Sequence, residues 1–311
     1  MRVVFLGTPE FAVPSLQALA AAGHHVVAVF TQPDRPKGRG NQIADSPVKL
    51  AASTLGIPVH QPERIRRPES VERLTGLAAE LMVVVGYGQI IPQTIIDLPK
   101  HGILNVHASL LPKYRGAAPI QWAIANGESE TGVTIMQIDA GLDTGDMLLK
   151  EKVTIEPDET APQLSARLAP LGADALLTVI KQIEAGTISR KKQNNAEATL
   201  ARILEKEDGR IDWSRPSTEI YNRLRGFTPW PGASTTLRGQ PLLVTNAKPA
   251  EASGIPPGVL HSEDRKLFAG CGDNTALELL ELQPAGKKRM SVAAFLNGYK
   301  LSESEVLGDH S

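Results

Sequence analysis

Cysteine is almost absent from this chain: its 311 residues include a single one, Cys271. A lone cysteine cannot form a disulfide within the chain, which excludes the class of small secreted domains held together by disulfides. The first apolar run, Val3 to Leu6, is too short for the core of a signal peptide because Gly7-Thr8-Pro9 ends it. No apolar run reaches the roughly 20 residues of a membrane span. We therefore expect a cytoplasmic protein with no membrane partner.

An excess of positive charge is also missing. The chain has 33 Lys and Arg against 34 Asp and Glu, a formal net charge of −1. From residue 206 to the end the count is again balanced, with 13 basic and 13 acidic residues. No overall basic field therefore indicates a nucleic-acid partner. The length suits two domains, each able to bury a core.

Several common functional motifs are lacking. Gly7-Thr8-Pro9-Glu10 follows an apolar run but is not the Gly-x-Gly-x-x-Gly of dinucleotide-binding proteins. Gly38-Arg39-Gly40-Asn41 lacks the Lys-Ser/Thr pair of a phosphate-binding P-loop. There is no His-Glu-x-x-His, no Cys pair and no Gly-x-Ser-x-Gly. These absences turn attention away from nucleotide cofactors, structural zinc and serine hydrolases.

The first two-thirds of the chain alternates short apolar runs with helical patterns. This alternation predicts an α/β fold with a parallel, Rossmann-like sheet covered by helices on both faces. The predicted strands are residues 2–7, 25–31, 81–86 and 102–107. The predicted helices are 10–22, 46–55, 69–79, 117–126 and 162–185. Residues 147–149 and 153–155 are expected to form a final hairpin.

The character of the chain changes after residue 186. Residues 187–205 are polar and include Arg190-Lys191-Lys192, which predicts a linker between domains spanning 1–186 and 206–311. In the second domain we expect one helix near 216–225. Short strands separated by Gly/Pro turns then predict a small β-barrel.

Two polar residues, Asn105 and His107, end the apolar run predicted as strand 102–107. Residues two apart on a strand face the same side, and ligands of parallel sheets bind at the carboxyl ends of strands. A later apolar run, Val133 to Ile138, leads into a Gly-rich acidic segment that contains Asp143. An amide, an imidazole and a carboxylate can together stabilise an oxyanion and relay a proton, as acyl transfer to an amine requires.

The same residues allow other interpretations. Asn-x-His at a strand end is often only a satisfied polar pair, and an acidic Gly-rich segment is often a solvated turn. A hydrolytic metal centre that uses His107 with Asp139, Asp143 and Asp146 also remains open, although the ligand spacing is not typical of one.

Longer strings of the sequence resemble the methionyl-tRNA formyltransferases, and the resemblance covers nearly the whole chain. The strings include FLGTPEFA at 5–12, FTQPDRP at 30–36, NVHASLLP at 105–112, YRGAAPIQW at 114–122, TGVTIMQ at 131–137, LDTGD at 142–146 and QPAGKK at 283–288.

The resemblance implies an activity and its residues. It implies 10-formyltetrahydrofolate as formyl donor, methionyl initiator tRNA as acceptor, no metal, and an open OB-like barrel at the C-terminus that helps to hold tRNA. Asn105, His107 and Asp143 match the catalytic trio of the family. The folate-binding positions it implies are Ser109, Leu110, Leu111 and Pro112, with Gly88, Ile90 and Ile91 lining the pterin pocket.

A basic segment, residues 33–41, supports the tRNA interpretation. Its Arg35, Lys37 and Arg39 could reach the phosphates or unpaired bases of an RNA end, and the resemblance implies that Arg39 is the main contact. Lys287 and Lys288 form a second basic cluster. Without the resemblance, such clusters would indicate only solvated surface.

Other functions stay open at this point. An amino-sugar or glycinamide-ribonucleotide formyltransferase would need the same trio and donor, and an RNA-binding protein could keep the fold without the activity. Nothing in the sequence demands a dimer, so we expect a monomer.

Overall fold

The computed structural model describes residues 1–37, 42–251, 254–302 and 305–308. The chain divides into two compact units. The N-terminal unit comprises Met1–Pro119, Glu130–Thr154 and Leu164–Arg202, and the C-terminal unit comprises Ile120–Ser129, Ile155–Gln163 and Ile203–Ser311. None of the helices that the structure describes combines the length and the apolar character of a membrane span.

The helices begin close to where the sequence predicts them. Ser46, for example, accepts a hydrogen bond from the Lys49 backbone N–H, and Pro47 follows at the first helical position, which together start the second helix. The α-helices are Val13–Ala21 (α1), Pro47–Thr54 (α2), Pro68–Gly76 (α3), Gln93–Ile96 (α4), Pro119–Ala125 (α5), Ala161–Glu184 (α6), Ser217–Gly226 (α7) and Val292–Gly298 (α8).

The N-terminal unit is built on a seven-stranded sheet with the order β10-β9-β7-β6-β1-β2-β5. The strands of this unit are Arg2–Gly7 (β1), His25–Phe30 (β2), Arg35–Lys37 (β3), Gln42–Ala44 (β4), Val59–His60 (β5), Leu81–Val85 (β6), Ile103–His107 (β7), Arg115–Gly116 (β8), Glu130–Gln137 (β9), Met147–Thr154 (β10) and Leu200–Ala201 (β11). The five strands from β7 to β5 run parallel, which confirms the predicted Rossmann-like sheet. β9 and β10 add an antiparallel edge.

The central strands are buried on both faces. Val3 to Leu6 of β1 and Leu81 to Val85 of β6 are continuous apolar runs, as expected when helices cover both sides of a sheet. Burial of this apolar surface is the main favourable contribution to the stability of the unit. A rigid centre of this kind fixes the positions at which the neighbouring strands end.

The predicted hairpin of residues 147–149 and 153–155 is wrong. Met147–Thr154 is one continuous edge strand, β10, that pairs antiparallel with β9. The polar residues Lys150, Glu151 and Lys152 suggest a turn in the sequence, but in the structure they lie on an edge strand. Charged side chains are common on edge strands because they discourage pairing with other chains.

The C-terminal unit contains the β-domain predicted from the spacing of short strands. Its strands are Ala233–Leu237 (β12), Gln240–Ala250 (β13), Leu260–Glu263 (β14), Lys266–Cys271 (β15), Thr275–Pro284 (β16) and Met290–Ser291 (β17). They form a six-stranded antiparallel sheet with the order β12-β13-β16-β15-β14, and β17 pairs with β16. Bridges from Val306 to Val259 and from Leu307 to Leu237 connect the C-terminal segment to both ends of this sheet. Helices α7 and α8 contribute Ile220, Leu224 and Phe295 to its core.

Candidate active site

The three residues predicted to carry the chemistry lie together at the carboxyl end of β7. The Asn105 side-chain nitrogen Nδ2 donates a hydrogen bond to Asp143 Oδ1 over 3.2 Å. His107 Nδ1 lies 3.6 Å from Asp143 Oδ2. The His107 side chain is 5% exposed and that of Asp143 is 15% exposed, so the group is largely withdrawn from bulk water. Alternation along β7 explains why Asn105 and His107 face the same carboxylate.

The position of the proton on His107 follows from its second contact. His107 Nε2 lies 3.0 Å from the backbone carbonyl oxygen of Tyr114. A carbonyl oxygen can only accept, so Nε2 carries a hydrogen and donates it. The nitrogen that faces Asp143 is therefore Nδ1, and Nδ1 is the atom through which this imidazole can exchange a proton.

Asp143 is held in a constrained loop between β9 and β10. Its backbone has φ of +51°, a left-handed conformation that is uncommon for residues other than glycine. The Gly116 backbone N–H donates to Asp143 Oδ2 over 2.9 Å. Asp139 closes the start of the loop by accepting from Gly141 N and from the Thr144 hydroxyl. These bonds hold the carboxylate toward Asn105 and His107.

A residue that the sequence reasoning missed also supports this loop. Gln193 Nε2 donates to the carbonyl oxygens of Asp143, over 2.7 Å, and of Gly145, over 2.8 Å. Gln193 lies in the polar segment predicted as a linker, and nothing in the sequence distinguishes it from the Lys and Asn residues on either side. Only the fold brings it to a loop 50 residues earlier in the chain.

The predicted folate segment, Ser109 to Pro112, is fixed mainly through its backbone. The Thr134 hydroxyl donates to the Ser109 carbonyl oxygen over 2.7 Å and accepts from Leu111 N over 3.2 Å. The Lys150 ammonium donates to the Leu111 carbonyl oxygen. Burial is the main cause that lowers the pKa of Lys150.

The side chains of this segment face inward. Ser109 and Leu111 are fully buried and Pro112 is buried, while Leu110 is half-buried. The Ser109 hydroxyl donates to the Lys113 carbonyl oxygen over 2.6 Å. The segment therefore offers a ligand its shape and backbone rather than these side chains.

The predicted pterin segment follows β6, the strand next to β7, so both segments leave the same edge of the sheet. Gly88 is exposed, with φ of +80°, and the Gln32 side-chain amide donates to the Tyr87 carbonyl oxygen over 3.0 Å. Ile90 is 90% exposed and Ile91 is half-buried. An exposed isoleucine beside accessible backbone can contact a flat heteroaromatic ring on its face and at its edge.

The alternative of a metal centre finds no arranged ligand group among the residues that the structure describes: no three or more His, Cys, Asp or Glu side chains converge to hold an ion. Two of the four candidate ligands have other partners. Asp139 accepts hydrogen bonds from Gly141 and Thr144, and His107 Nε2 is hydrogen-bonded to the Tyr114 carbonyl oxygen.

Comparison with known proteins assigns the family. The model of the formyl transferase family matches residues 1–180, and the model of the formyl transferase C-terminal domain matches residues 203–300. A methionyl-tRNA formyltransferase from Solibacter usitatus is 60% identical over 99% of both chains. One from Koribacter versatilis is 57% identical, again over 99% of both chains. The chain belongs to the methionyl-tRNA formyltransferase family.

Solved structures of other formyl transferases share the fold. The sugar 3N-formyl transferase WlaRD, crystallised in the presence of dTDP and 5-N-formyl-THF, superposes with a TM-score of 0.68 at 20% sequence identity. The match covers 93% of this chain and 99% of WlaRD. Identity this low supports the fold and not the choice of acceptor.

The residues that the family resemblance links to tRNA lie in both units. Arg39 lies outside the described residues, and so do the side chains of Arg35 and Lys37, whose backbone forms β3. At the start of this segment Asp34 accepts from the Lys49 ammonium and from Gln61 Nε2, and these bonds lower the pKa of Asp34. Lys287 and Lys288 are exposed in the turn between β16 and β17 of the C-terminal unit.

Proposed function

We propose that this protein transfers the formyl group of 10-formyltetrahydrofolate to the α-amino group of methionyl initiator tRNA, as a cytoplasmic monomer. The observation that carries the proposal is the convergence of Asn105, His107 and Asp143 at the carboxyl end of β7. Membership of the methionyl-tRNA formyltransferase family supports both the donor and the acceptor.

The first step is attack of the methionyl nitrogen on the formyl carbon, which turns the formyl oxygen into an oxyanion. Such an intermediate is stabilised by fixed hydrogen-bond donors aimed at the oxygen. The Asn105 amide has two N–H bonds, and one of them is directed to Asp143. The other is the donor that we assign to the oxyanion, with a protonated His107 Nδ1 as a second donor.

The second step breaks the bond between the formyl carbon and N10 of the folate. The methionyl nitrogen, positively charged after its attack, loses one proton, and N10 gains one as it leaves. Asp143 and His107 Nδ1, 3.6 Å apart, form the pair that accepts and returns this proton, directly or through water. Mass and charge balance without any further reactant.

Folate and tRNA are bound by other parts of the chain. In this proposal Gly88, Ile90 and Ile91 contact the pterin ring, and the segment Ser109 to Pro112 forms the wall beside it. Residues 1–186 form the catalytic domain, 187–205 connect it to the next, and 206–311 help to bind tRNA through Lys287 and Lys288.

The direct test is formyl transfer from 10-formyltetrahydrofolate to methionyl initiator tRNA. Elongator methionyl-tRNA and a UDP-amino sugar serve as competing acceptors in parallel reactions. We expect transfer to the initiator alone. Turnover of the sugar with none on tRNA would keep the chemistry of the trio and overturn the acceptor, and no transfer to any of them would overturn the whole proposal.

The basic segment gives a separate prediction. Arg39→Ala is expected to raise KM for methionyl-tRNA by about 10- to 100-fold, because one charge-assisted contact contributes about 1.5–3 kcal/mol. Binding of folate should stay unchanged, as measured by fluorescence titration. Arg265→Ala, which removes an exposed arginine of the C-terminal unit, is the control for loss of one positive charge. Equal kinetics in both variants would remove Arg39 from the tRNA site.

A further inference from the structure

Gln193 uses every hydrogen-bonding group of its side chain, and each bond has a defined direction. Its oxygen Oε1 accepts from Arg115 Nε over 3.0 Å and from Arg115 Nη2 over 2.8 Å. Both hydrogens of its nitrogen Nε2 go to the carbonyl oxygens of Asp143 and Gly145. A flipped amide would place donors against the guanidinium and an oxygen against two carbonyl oxygens. The orientation of the amide is therefore fixed by its partners.

Arg115 is itself held in place. It is 7% exposed, and its Nη2 also donates to Asn195 Oδ1 over 2.8 Å. The chain from Thr199 to Ala201 binds the backbone on either side of Arg115 through parallel pairing of β11 with β8. The guanidinium therefore offers a rigid anchor for Gln193 rather than a mobile surface charge.

This anchor matters because the backbone of Asp143 is in a left-handed conformation. A non-glycine residue at φ of +51° is strained relative to a relaxed backbone, so surrounding contacts must hold it there. Two bonds from one amide, to the carbonyls of residues 143 and 145, span the turn that aims the carboxylate. Loss of these two bonds would let the turn relax, and a relaxed turn would lengthen the 3.2 Å and 3.6 Å contacts of Asp143.

We propose that Gln193, oriented by Arg115, is a positioning residue that holds the Asp143 carboxylate in register with Asn105 and His107. The inference rests on the proposed function, since it assigns Gln193 to the transfer step of that reaction. Gln193 touches the backbone of the Asp143 loop and acts through it, so it affects turnover rather than binding of either substrate.

The test is Gln193→Glu, a change that keeps the length of the side chain. The glutamate retains an acceptor for Arg115 but places an oxygen in front of two carbonyl oxygens, where a donor is required. Asn195→Asp makes the same amide-to-acid change beside the same guanidinium without touching the loop, and is the matched control. We expect kcat for formyl transfer to fall about 10- to 100-fold in Gln193→Glu, the usual result of small misplacement of a reacting group. KM for both substrates should stay within about 3-fold.

A second arm shows whether Gln193 acts through Asp143. In an Asp143→Asn background, Gln193→Glu should lower the residual kcat by less than about 3-fold, because residues that act as a unit are not additive. The inference would be overturned if Gln193→Glu lowered kcat as much in the Asp143→Asn background as in the wild type. It would also be overturned if, in the wild-type background, Gln193→Glu and Asn195→Asp had the same kcat. If melting curves show that Gln193→Glu is unfolded, Gln193→Met removes both polar groups without adding charge and is measured in the same way.

The outcomes separate the inference from the function on which it rests. Absence of transfer by the unmodified protein overturns the proposed function itself. An active protein with a damaged Asp143→Asn variant and an undamaged Gln193→Glu variant overturns only the role of Gln193.

Discussion

Two carboxylates, Asp143 in the N-terminal unit and Glu305 in the C-terminal unit, are both firmly held, but by different kinds of donor. Asp143 accepts from the Asn105 amide and the Gly116 N–H, which are neutral. Glu305 accepts a two-pronged bond from the Arg238 guanidinium, with distances of 2.8 Å and 2.7 Å. This bond is the main cause that lowers the pKa of Glu305 to about 2.

The difference reflects what each group is for. A guanidinium keeps a carboxylate charged, which suits a permanent tether and prevents exchange of protons near neutral pH. In the described part of the chain, no Lys or Arg pairs with Asp143, although Arg115 is only one side chain away. Gln193 lies between Arg115 and the Asp143 loop: it accepts from the guanidinium and donates to the loop, so the loop is anchored to the arginine through a neutral amide. Asp143 is thus fixed in place, and among the described residues its one ionisable contact is the His107 imidazole.

Removing the charge of Asp143 is expected to have the largest effect on activity. Asp143→Asn keeps the size of the side chain and can still accept from Gly116, so we expect the protein to fold and to bind folate. It cannot take up the proton of the attacking amine, and general acid–base groups contribute about 100- to 10,000-fold to rates. We therefore expect the rate constant of formyl transfer to fall by about that factor in a single-turnover formylation assay. Wild-type turnover in this variant would exclude Asp143 from proton transfer.

The sequence predicts one half of this site better than the other. Asn105 and His107 could be placed together because a strand alternates its faces and ends at a known edge of the sheet. The residues alone indicate an acidic Gly-rich segment, and the family string around Asp143 singles it out within that segment. The buried apolar runs correctly predict the parallel sheet, whereas the pattern of the polar edge strand β10 wrongly predicts a hairpin.

The remaining partners could not be predicted for physical reasons. The Tyr114 carbonyl and the Gly116 N–H are backbone groups, which every residue has, so no residue type marks them. Gln193 gains its role only when the chain returns to β8 after α6. A polar segment without periodicity gives no sign of such a long-range contact.

Gly116→Ala displaces one of the neutral donors to Asp143, the Gly116 N–H, and is expected to have a smaller effect on activity than Asp143→Asn. Gly116 has φ of +118°, and an added Cβ would lie 2.7 Å from the Ala201 carbonyl oxygen. The backbone must shift, which moves the N–H that Asp143 accepts. We expect a loss of about 1–3 kcal/mol in the free energy of unfolding and about a 10-fold drop in kcat.

Gly186→Ala is the matched control for Gly116→Ala. Gly186 also has a positive φ, of +68°, but nothing lies within 4 Å of an added Cβ. The control should therefore lose about 1 kcal/mol of stability and no activity. If both variants keep full kcat, the Gly116 N–H does not position Asp143.

The smallest effect on activity is expected from Glu305→Gln, which removes the charged tether. Because the folded pKa lies below the ordinary value of 4.5, the charge stabilises the fold above pH 4.5 and this contribution is lost as the pH falls toward about 2. The variant should melt at a lower temperature than the wild type at pH 7, with the gap narrowing steadily below pH 4.5. Glu69 forms an exposed pair with Arg67, so Glu69→Gln should change the melting temperature neither at pH 7 nor below pH 4.5. Unchanged turnover together with a pH-dependent difference in melting temperature would show that the guanidinium-held carboxylate serves structure alone. A difference in melting temperature that does not depend on pH would mean that Glu305 stabilises the unit by packing and not by its charge.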